Sequence, residues 1–526
     1  MDLYKNLIRI FLLSLALLFF TCLNFAQSIF NIEIKLLEFN SNPGMIFQNE
    51  DTHIVIGHGT DHYEFSFNDG FIAKFNKRGE MINKKFIEGS REDFYWTGFS
   101  NSVFDLNSTF VFLMDFFGYK TEIWTVDKNT LNITRKIKIS NGMIPDSFYS
   151  GKEICQVNDS LFAVVGSVKE LTPINTKLED IQVSLVNIRT NDIKHHYFGI
   201  PGKNDFPDAI QWNGMKLIIG SVGKKSLSYS DSENHAMIWE MDLEGEATLK
   251  FMTPADSIMY GIKEIVLDDH GNRIVASLKG FYYPQSSILG RYKWRPTVMQ
   301  LDSNYYTDWK TPVGTLNYNS VNTICCLIPA VENDGYIAAG TISPFNYDEE
   351  DHPYFNAIQK GFLSKVDKNG KKMWDRIITV VDIDSLEYWH WIYDLEQSLD
   401  GGYIGCGFLN SGVIPGARSW LFKTDRHGCI VPGCHEEVSA IQLPPEEAHI
   451  LIWPNPVRDW LYVFQKAEEQ HIYHILDMNG RIIRRFEGSM ADETLMIDVS
   501  GLKPGSYVLT VETASGKSGR KVFLMF

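Results

Sequence analysis

The sequence predicts an all-β protein: a seven-bladed β-propeller followed by a small Ig-like antiparallel β-sandwich. Three observations predict it. First, an apolar strand running into a polar turn recurs seven times, aligned on Asn76, Asp127, Asn187, Asp242, Asp302, Asp367 and Asp425, at intervals of 51 to 65 residues. The residue four before each turn is aliphatic in every copy: Ile72, Ile123, Val183, Ile238, Val298, Leu363 and Leu421. Second, an apolar run ending in a small residue precedes most copies, as HIVIGHG, LFAVVGS, KLIIGS, RIVASL, GYIAAGT and GYIGCGF. Each unit therefore supplies about four strands, and a lone four-stranded sheet cannot bury both faces, so neighbours must stack. Third, the last stretch of the chain alternates apolar and polar residues in short runs between Gly, Pro and Asn turns, the pattern of a small sandwich.

The elements follow in chain order. Residues 1–27 read as a secretory signal: Lys5 and Arg9 supply the positive region, residues 10–20 are almost entirely apolar, and Ala26 precedes the expected cut. Acylation at Cys22 is the minor alternative, because Phe19, Phe20 and Thr21 fit such a site poorly. The body spans 28–435. Its opening run, SIFNIEIKLL, alternates Phe30, Ile32, Ile34 and Leu36 and belongs to no repeat, while the seventh repeat lacks a fourth strand. The opening run is expected to complete that blade. Cys429 and Cys434 flank a Pro-Gly bend and are expected to form a local disulfide, whereas Cys155, Cys325, Cys326 and Cys406 read as buried small side chains. Residues 436–449, with a Pro pair and four Glu, form a linker. The terminal domain, 450–526, alternates at Leu461 and Val463, Tyr473 and Ile475, then Tyr507, Leu509 and Val511, with turns at Asp477–Gly480 and Pro504-Gly505.

In this tail Pro454-Asn455-Pro456, the DMNGR run from Asp477 through Gly480, the DVSGLKPGSYVLTVET run containing Pro504, Gly505 and Tyr507, and the basic hairpin leading to Lys521 occur in a fixed order. The tail resembles the C-terminal sorting domain (type A) of type IX secretion cargo in Bacteroidetes. That resemblance implies export through the outer membrane, contact with the type IX machinery and its tail-removing peptidase, and attachment to surface lipopolysaccharide. The GYIxxG and WLxKxDxxG patterns of the later repeats also resemble those of secreted β-propeller proteins from that group, which implies a secreted or cell-surface location.

Chemistry is harder to read. A net charge of −16 excludes nucleic acid as an expected partner, because phosphates call for a basic excess. Aromatic residues make up 13% of the chain, which suits both β architecture and carbohydrate contact. Trp389 and Trp391, in YWHW, are the candidate binding aromatics for a glycan or protein ligand, with blade packing as the alternative. The run 53–65 is rich in His, but Gly57 and Gly59 suggest a loop, and no metal is expected there. Ser398 to Gly402 (SLDGG) reads as a hairpin turn. No nucleophile elbow, zincin helix or phosphate loop occurs, so no catalytic residue, metal or cofactor is assigned. The expected function is binding of glycans or proteins; the alternative is an extracellular hydrolase of polysaccharide or glycoconjugate, whose acid pair or arginine cluster (Arg291, Arg295, Arg376, Arg418) the sequence cannot bring together.

Overall fold

A computed structural model describes residues 29–34, 40–49, 52–60, 69–87, 98–115, 121–140, 149–169, 179–224, 235–253, 258–268, 274–282, 293–294, 296–314, 323–342, 359–380, 388–411, 418–430, 434, 450–453, 455–465, 470–477, 480–489, 495–513 and 518–525. The expected signal segment 1–27, the expected linker 436–449 and Pro454 lie outside them. Among the described residues every regular element is a strand, and no helix is long and apolar enough to cross a membrane. The chain divides into two compact units, one of Met1–Ile378 with Trp389–Ile430 and one of Thr379–Tyr388 with Val431–Phe526.

The first unit is seven antiparallel sheets. Blade 1 holds Asn40–Asn49, Thr52–Thr60, Asp69–Asn76 and Met81–Ile87, paired in that order. Blades 2, 3, 4 and 6 repeat the meander, starting at Gly98–Leu106, Tyr149–Gln156, Asn204–Trp212 and Thr323–Pro329. Blade 5 starts at Ile258–Leu267 and adds a two-residue strand, Lys293–Trp294, to its second strand. Blade 7 takes Tyr388–Ser398, Gly402–Ser411 and Arg418–Thr424 from one end of the chain and Phe30–Ile34 from the other. This closure is the expected one. Phe30 pairs with Lys423 and Ile34 with Ser419, Trp420 donates its indole N–H to Asn31 Oδ1 at 2.8 Å, and Arg418 pairs with Glu33.

The seven aligned turns have one cause. Each Asx side chain accepts backbone N–H groups two to four residues ahead, which closes the turn between third and fourth strands. Asp242 Oδ1 takes the N–H of Glu244, Gly245 and Glu246 at 2.8–2.9 Å, and Asp367 and Asp425 do the same at residues two and four ahead. The aliphatic residue four before each turn is buried in every blade, from 0% exposed at Ile72 to 1% at Leu421. The small residue of the second strand sits opposite a β-bulge in the first, whose extra residue is Gly44, Lys152, Asp208, Lys263 or Cys325 in blades 1, 3, 4, 5 and 6. At Gly340 a Cβ would come within 1.9 Å of the Thr323 carbonyl oxygen, so no larger residue fits there.

Two expectations need correcting. The described part of the His-rich run is not a loop: Thr52–Thr60 is one continuous strand, in which Gly57 is the small residue facing the blade 1 bulge, while residues 61–65 lie outside the described residues. Cys325 is half-buried rather than buried, because it is itself the bulged residue, whereas Cys155, Cys326 and Cys406 are buried thiols. Cys429 and Cys434 are joined in the expected disulfide.

The second unit is a two-sheet sandwich. Ile450–Trp453, Trp460–Gln465 and Leu495–Asp498 form one sheet; Ile482–Ser489, Gln470–Asp477, Gly505–Thr513 and Ser518–Met525 form the other. Its core gathers Leu461, Val463, Tyr473, Ile475, Leu509, Val511 and Phe523. Asn455 donates to the Val522 carbonyl at 3.0 Å, and Val457 bridges to Met525, so the Asn-Pro entry is tied to the final strand. Asp477 Oδ1 accepts from Arg481 N–H at 3.0 Å, with Gly480 at φ 78°. Tyr507 stacks on Phe523 and donates to the Lys503 carbonyl, while Lys521 is exposed. Phe523 and Met525, beyond the last basic residue, are core.

Candidate functional site

The first strand of each blade is innermost. From blade 1 to blade 6 these strands pack side by side, and blade 7 joins blade 1 where Asp394 Oδ2 accepts the Ile46 N–H at 2.7 Å. The bulges therefore decide which side chains stand around the axis.

Polar groups concentrate there. Lys263, the bulged residue of blade 5, lies among Asp208, Glu264 and Glu153, three acids from three blades. Burial pulls its ammonium down, but Asp208, Glu264, Cys325 and Glu153 together outweigh burial and hold it above its ordinary value. Glu153 and Glu264, each directly after a bulge, are buried, as is their blade 7 counterpart Asp394. Burial first, then Glu153, raises Asp394; burial first, then Asp394, raises Glu396. Both carboxyls thus hold protons well above the usual carboxylate range. A cavity of about 400 Å³ lies against the far ends of the innermost strands, with Phe104, Trp212, Leu327, Glu264, Asp394 and Glu396 in its walls. Apolar walls with a few convergent polar groups are the usual make-up of a small-ligand site.

Toward the opposite end of the blade 7 first strand, Trp389, Trp391 and Tyr393 alternate on one face, each half-buried, while His390, Ile392 and Asp394 turn into the protein. Trp391 and Tyr393 each lie 5.4 Å from Phe408, and the Trp391 indole donates to Gln359. Trp391 is thus held by packing. Trp389 has no ring or hydrogen-bond partner among the described residues and is partly exposed, so it offers ring surface to a ligand.

The other sequence candidates separate. Arg418 is spent on Glu33 at the closing strand, and Arg376 lies over the Trp374 ring on an outer strand, so neither reaches the axis; Arg291 and Arg295 lie outside the described residues. His53 is 1% exposed, and burial followed by the charge of Lys423 brings it down to about 4. His58 is likewise brought down to about 4 by burial. No group of three His, Cys, Asp or Glu side chains stands as a metal site among the described residues. Asp400 of the SLDGG turn accepts from Ser398 and from Lys423 Nζ, both at 2.6 Å. Sequence reasoning missed this second role, although a Lys two residues before the turn Asp recurs in SKVD and FKTD: Lys365 meets Asp334 at 2.8 Å in the same way. Blade 4 reverses the charges, with Glu240 on the third strand and Lys216 in the turn, 2.8 Å apart.

The fold is a seven-bladed β-propeller followed by a two-sheet sandwich. Residues 451–525 match the family described as secretion system C-terminal sorting domain, and this segment is such a domain, which marks the chain as export cargo of the type IX system. No curated protein matches the chain in sequence. Among solved structures, the β-propeller domain of the Trilobed protease from Pyrococcus furiosus is similar at 12% identity, over 74% of this chain and 97% of that one, with a TM-score of 0.39. An uncharacterized protein from Listeria monocytogenes EGD-e is similar at 11% identity, over 71% and 94%, with a TM-score of 0.35.

Proposed function

We propose that the body is an exported binding module for a glycan or glycoprotein, held at the inner edge of blade 7. The observation that carries this reading is the partly exposed aromatic row of Trp389, Trp391 and Tyr393, backed by Phe408. Flat rings on a rigid strand offer apolar faces to sugar C–H groups at little entropic cost. A leader at 1–27, removal of the tail after export and attachment to surface lipopolysaccharide complete the proposed route.

One observation favours a hydrolase as the second reading: Glu264, Asp394 and Glu396 share a cavity, and a carboxyl that keeps its proton near neutrality is a general acid. Asp394, however, is engaged structurally, since its two oxygens accept the N–H groups of Ile46 and Leu395. Binding is therefore the preferred reading. The test incubates the protein with a panel of polysaccharides and glycoproteins and records retention and released product together. Retention without product, lost in W389A at an unchanged unfolding midpoint, supports binding. Product formation abolished by E396Q establishes the hydrolase instead.

A further inference from the structure

The outer strands of blades 1 and 2 carry five cations and no acid. Met81–Ile87 (MINKKFI) and Ile133–Ile139 (ITRKIKI) contain Lys84, Lys85, Arg135, Lys136 and Lys138 and no acid, in a chain whose net charge is −16. The two strands are neighbours: Lys85 Nζ donates to Asn132 Oδ1 across the gap, and Ile87 and Ile133 pack on the same inter-blade core. Lys136 lies 4.2 Å over the ring of Trp124, which belongs to that core, so Lys136 faces the gap, and alternation puts Lys138 beside it. Lys85, Lys136 and Lys138 therefore line one groove, while Lys84 and Arg135 stand on the opposite faces of their strands, Lys84 over the Phe86 ring and Arg135 donating to the Arg189 carbonyl. The nearest acid in register is Glu122, opposite Lys138, and it is 5% exposed with its carboxylate on the Trp124 indole at 2.7 Å.

Corresponding strands elsewhere neutralise their cations. In blade 4 Lys250 pairs with Glu240 at 3.4 Å, and in blade 6 Lys372 pairs with Asp375 at 2.6 Å. In blades 1 and 2 none of the five cations has a carboxylate partner among the described residues. Like charges this close repel, an arrangement that an anionic ligand relieves. Alternate residues on a strand are roughly 7 Å apart, so the groove offers a linear array of ammonium groups rather than a compact anion pocket. At the start of the blade 1 strand the bulged Ile82 is 56% exposed, giving apolar surface suited to a sugar ring.

We propose that the groove between the outer strands of blades 1 and 2 binds a linear polyanionic polysaccharide, sulfated or carboxylated. The choice of a polysaccharide over nucleic acid or acidic protein follows from the export tail and the adjacent apolar surface. It rests on the reading of the chain as an exported binder but not on the aromatic row of blade 7. The test measures binding of the full chain to immobilised heparin and alginate, with dextran, duplex DNA and polyglutamate in parallel. The chain binds heparin or alginate and not dextran; K85Q/K136Q/K138Q weakens binding at least tenfold at 100 mM salt and lowers the salt slope by about 2–3. K250Q/K372Q binds like the wild type, whereas loss of binding in W389A with K85Q/K136Q/K138Q unaffected places the polyanion on blade 7 and overturns the groove. All substituted lysines lie on outer strands, and an unchanged unfolding midpoint verifies folding; K138E alone repeats the loss if the triple variant unfolds. Binding within twofold of wild type in both variants, or a wild-type preference for DNA or polyglutamate, overturns the proposal.

Discussion

Replacing Asp400 by Ala isolates the buried ion pair that latches blade 7. The side chain of Lys423 is 1% exposed and that of Asp400 25%, with Nζ and Oδ2 2.6 Å apart. Burial already holds Lys423 below its ordinary value despite the pair, so desolvation is severe there. Without Asp400 the ammonium must stay charged and dry or give up its proton. Giving it up at pH 7 costs about 1.36 × (10.4 − 7), or about 4.6 kcal/mol, which caps the penalty. Breaking a buried pair by removing one partner typically costs about 3–5 kcal/mol, so D400A should fall just under the cap. Two consequences separate this account from simple loss of a turn. The cap falls to about 1.2 kcal/mol at pH 9.5, so the D400A penalty shrinks there. K423M, which leaves the better solvated partner behind, costs about 1 kcal/mol or less, and D400A/K423M recovers most of the D400A loss. Urea unfolding followed by tryptophan fluorescence at both pH values measures all three variants. A D400A penalty below about 1 kcal/mol at pH 7, or one of equal size at pH 9.5, refutes the reasoning.

Two further outcomes are expected. His53 is neutral and buried, with its folded value lowered from 6.5 to about 4, so the unfolded chain binds the proton more readily. Its contribution is intact above pH 6.5 and is lost as pH falls toward 4, by up to about 3 kcal/mol. H53L removes that term, and its stability advantage over the wild type should grow between pH 7 and 4.5; parallel pH profiles in unfolding experiments would sink the idea. Gly340→Ala, whose Cβ meets a backbone carbonyl, should cost about 2 kcal/mol or more, whereas Gly401→Ala, in open space at φ 81°, should cost only about 1 kcal/mol for its left-handed backbone. Thermal unfolding of the two variants ranks them.

The fold was legible because its two repeating demands fall on single residues. An Asx at the turn satisfies backbone N–H groups wherever it stands, and the aliphatic residue four before it is always core, so both recur whatever surrounds them. The small residue of the second strand was visible as a pattern, but its cause was not, since the bulge facing it lies on another strand. The site was less legible for the same reason. Lys263, Asp208 and Glu153 are 55 and 110 residues apart and meet only because three bulges turn them toward one axis. The basic groove also joins two strands from different repeats. Even the turns carry exceptions that tertiary packing imposes: Leu131 takes φ 57° where blades 1, 4, 6 and 7 place Gly, and its side chain is fully buried. That burial outweighs a left-handed cost of roughly 1–2 kcal/mol.

Blade 7 concentrates the molecule's devices because it alone is assembled from both ends of the body. Its closing bond, from Trp420 to Asn31, spans 389 residues of chain, against intervals of 51 to 65 between successive repeats. Loop-closure entropy grows only logarithmically, at about 0.6 kcal/mol per doubling, so three doublings add about 2 kcal/mol. Burying Phe30 against Phe71, Phe75 and Leu421 supplies about that much alone, before the Arg418–Glu33 pair is counted. Length therefore does not explain the extra fastenings. Kinetics does: the closing strand is five residues long, and a short terminal strand on an outer edge frays first. Asp394 bridging to Ile46, Lys423 locked to Asp400, and the Cys429–Cys434 disulfide just beyond the third strand all hold blade 7 without that strand. The ring can thus lose Phe30–Ile34 transiently while the aromatic row on the innermost strand of the same blade keeps its geometry.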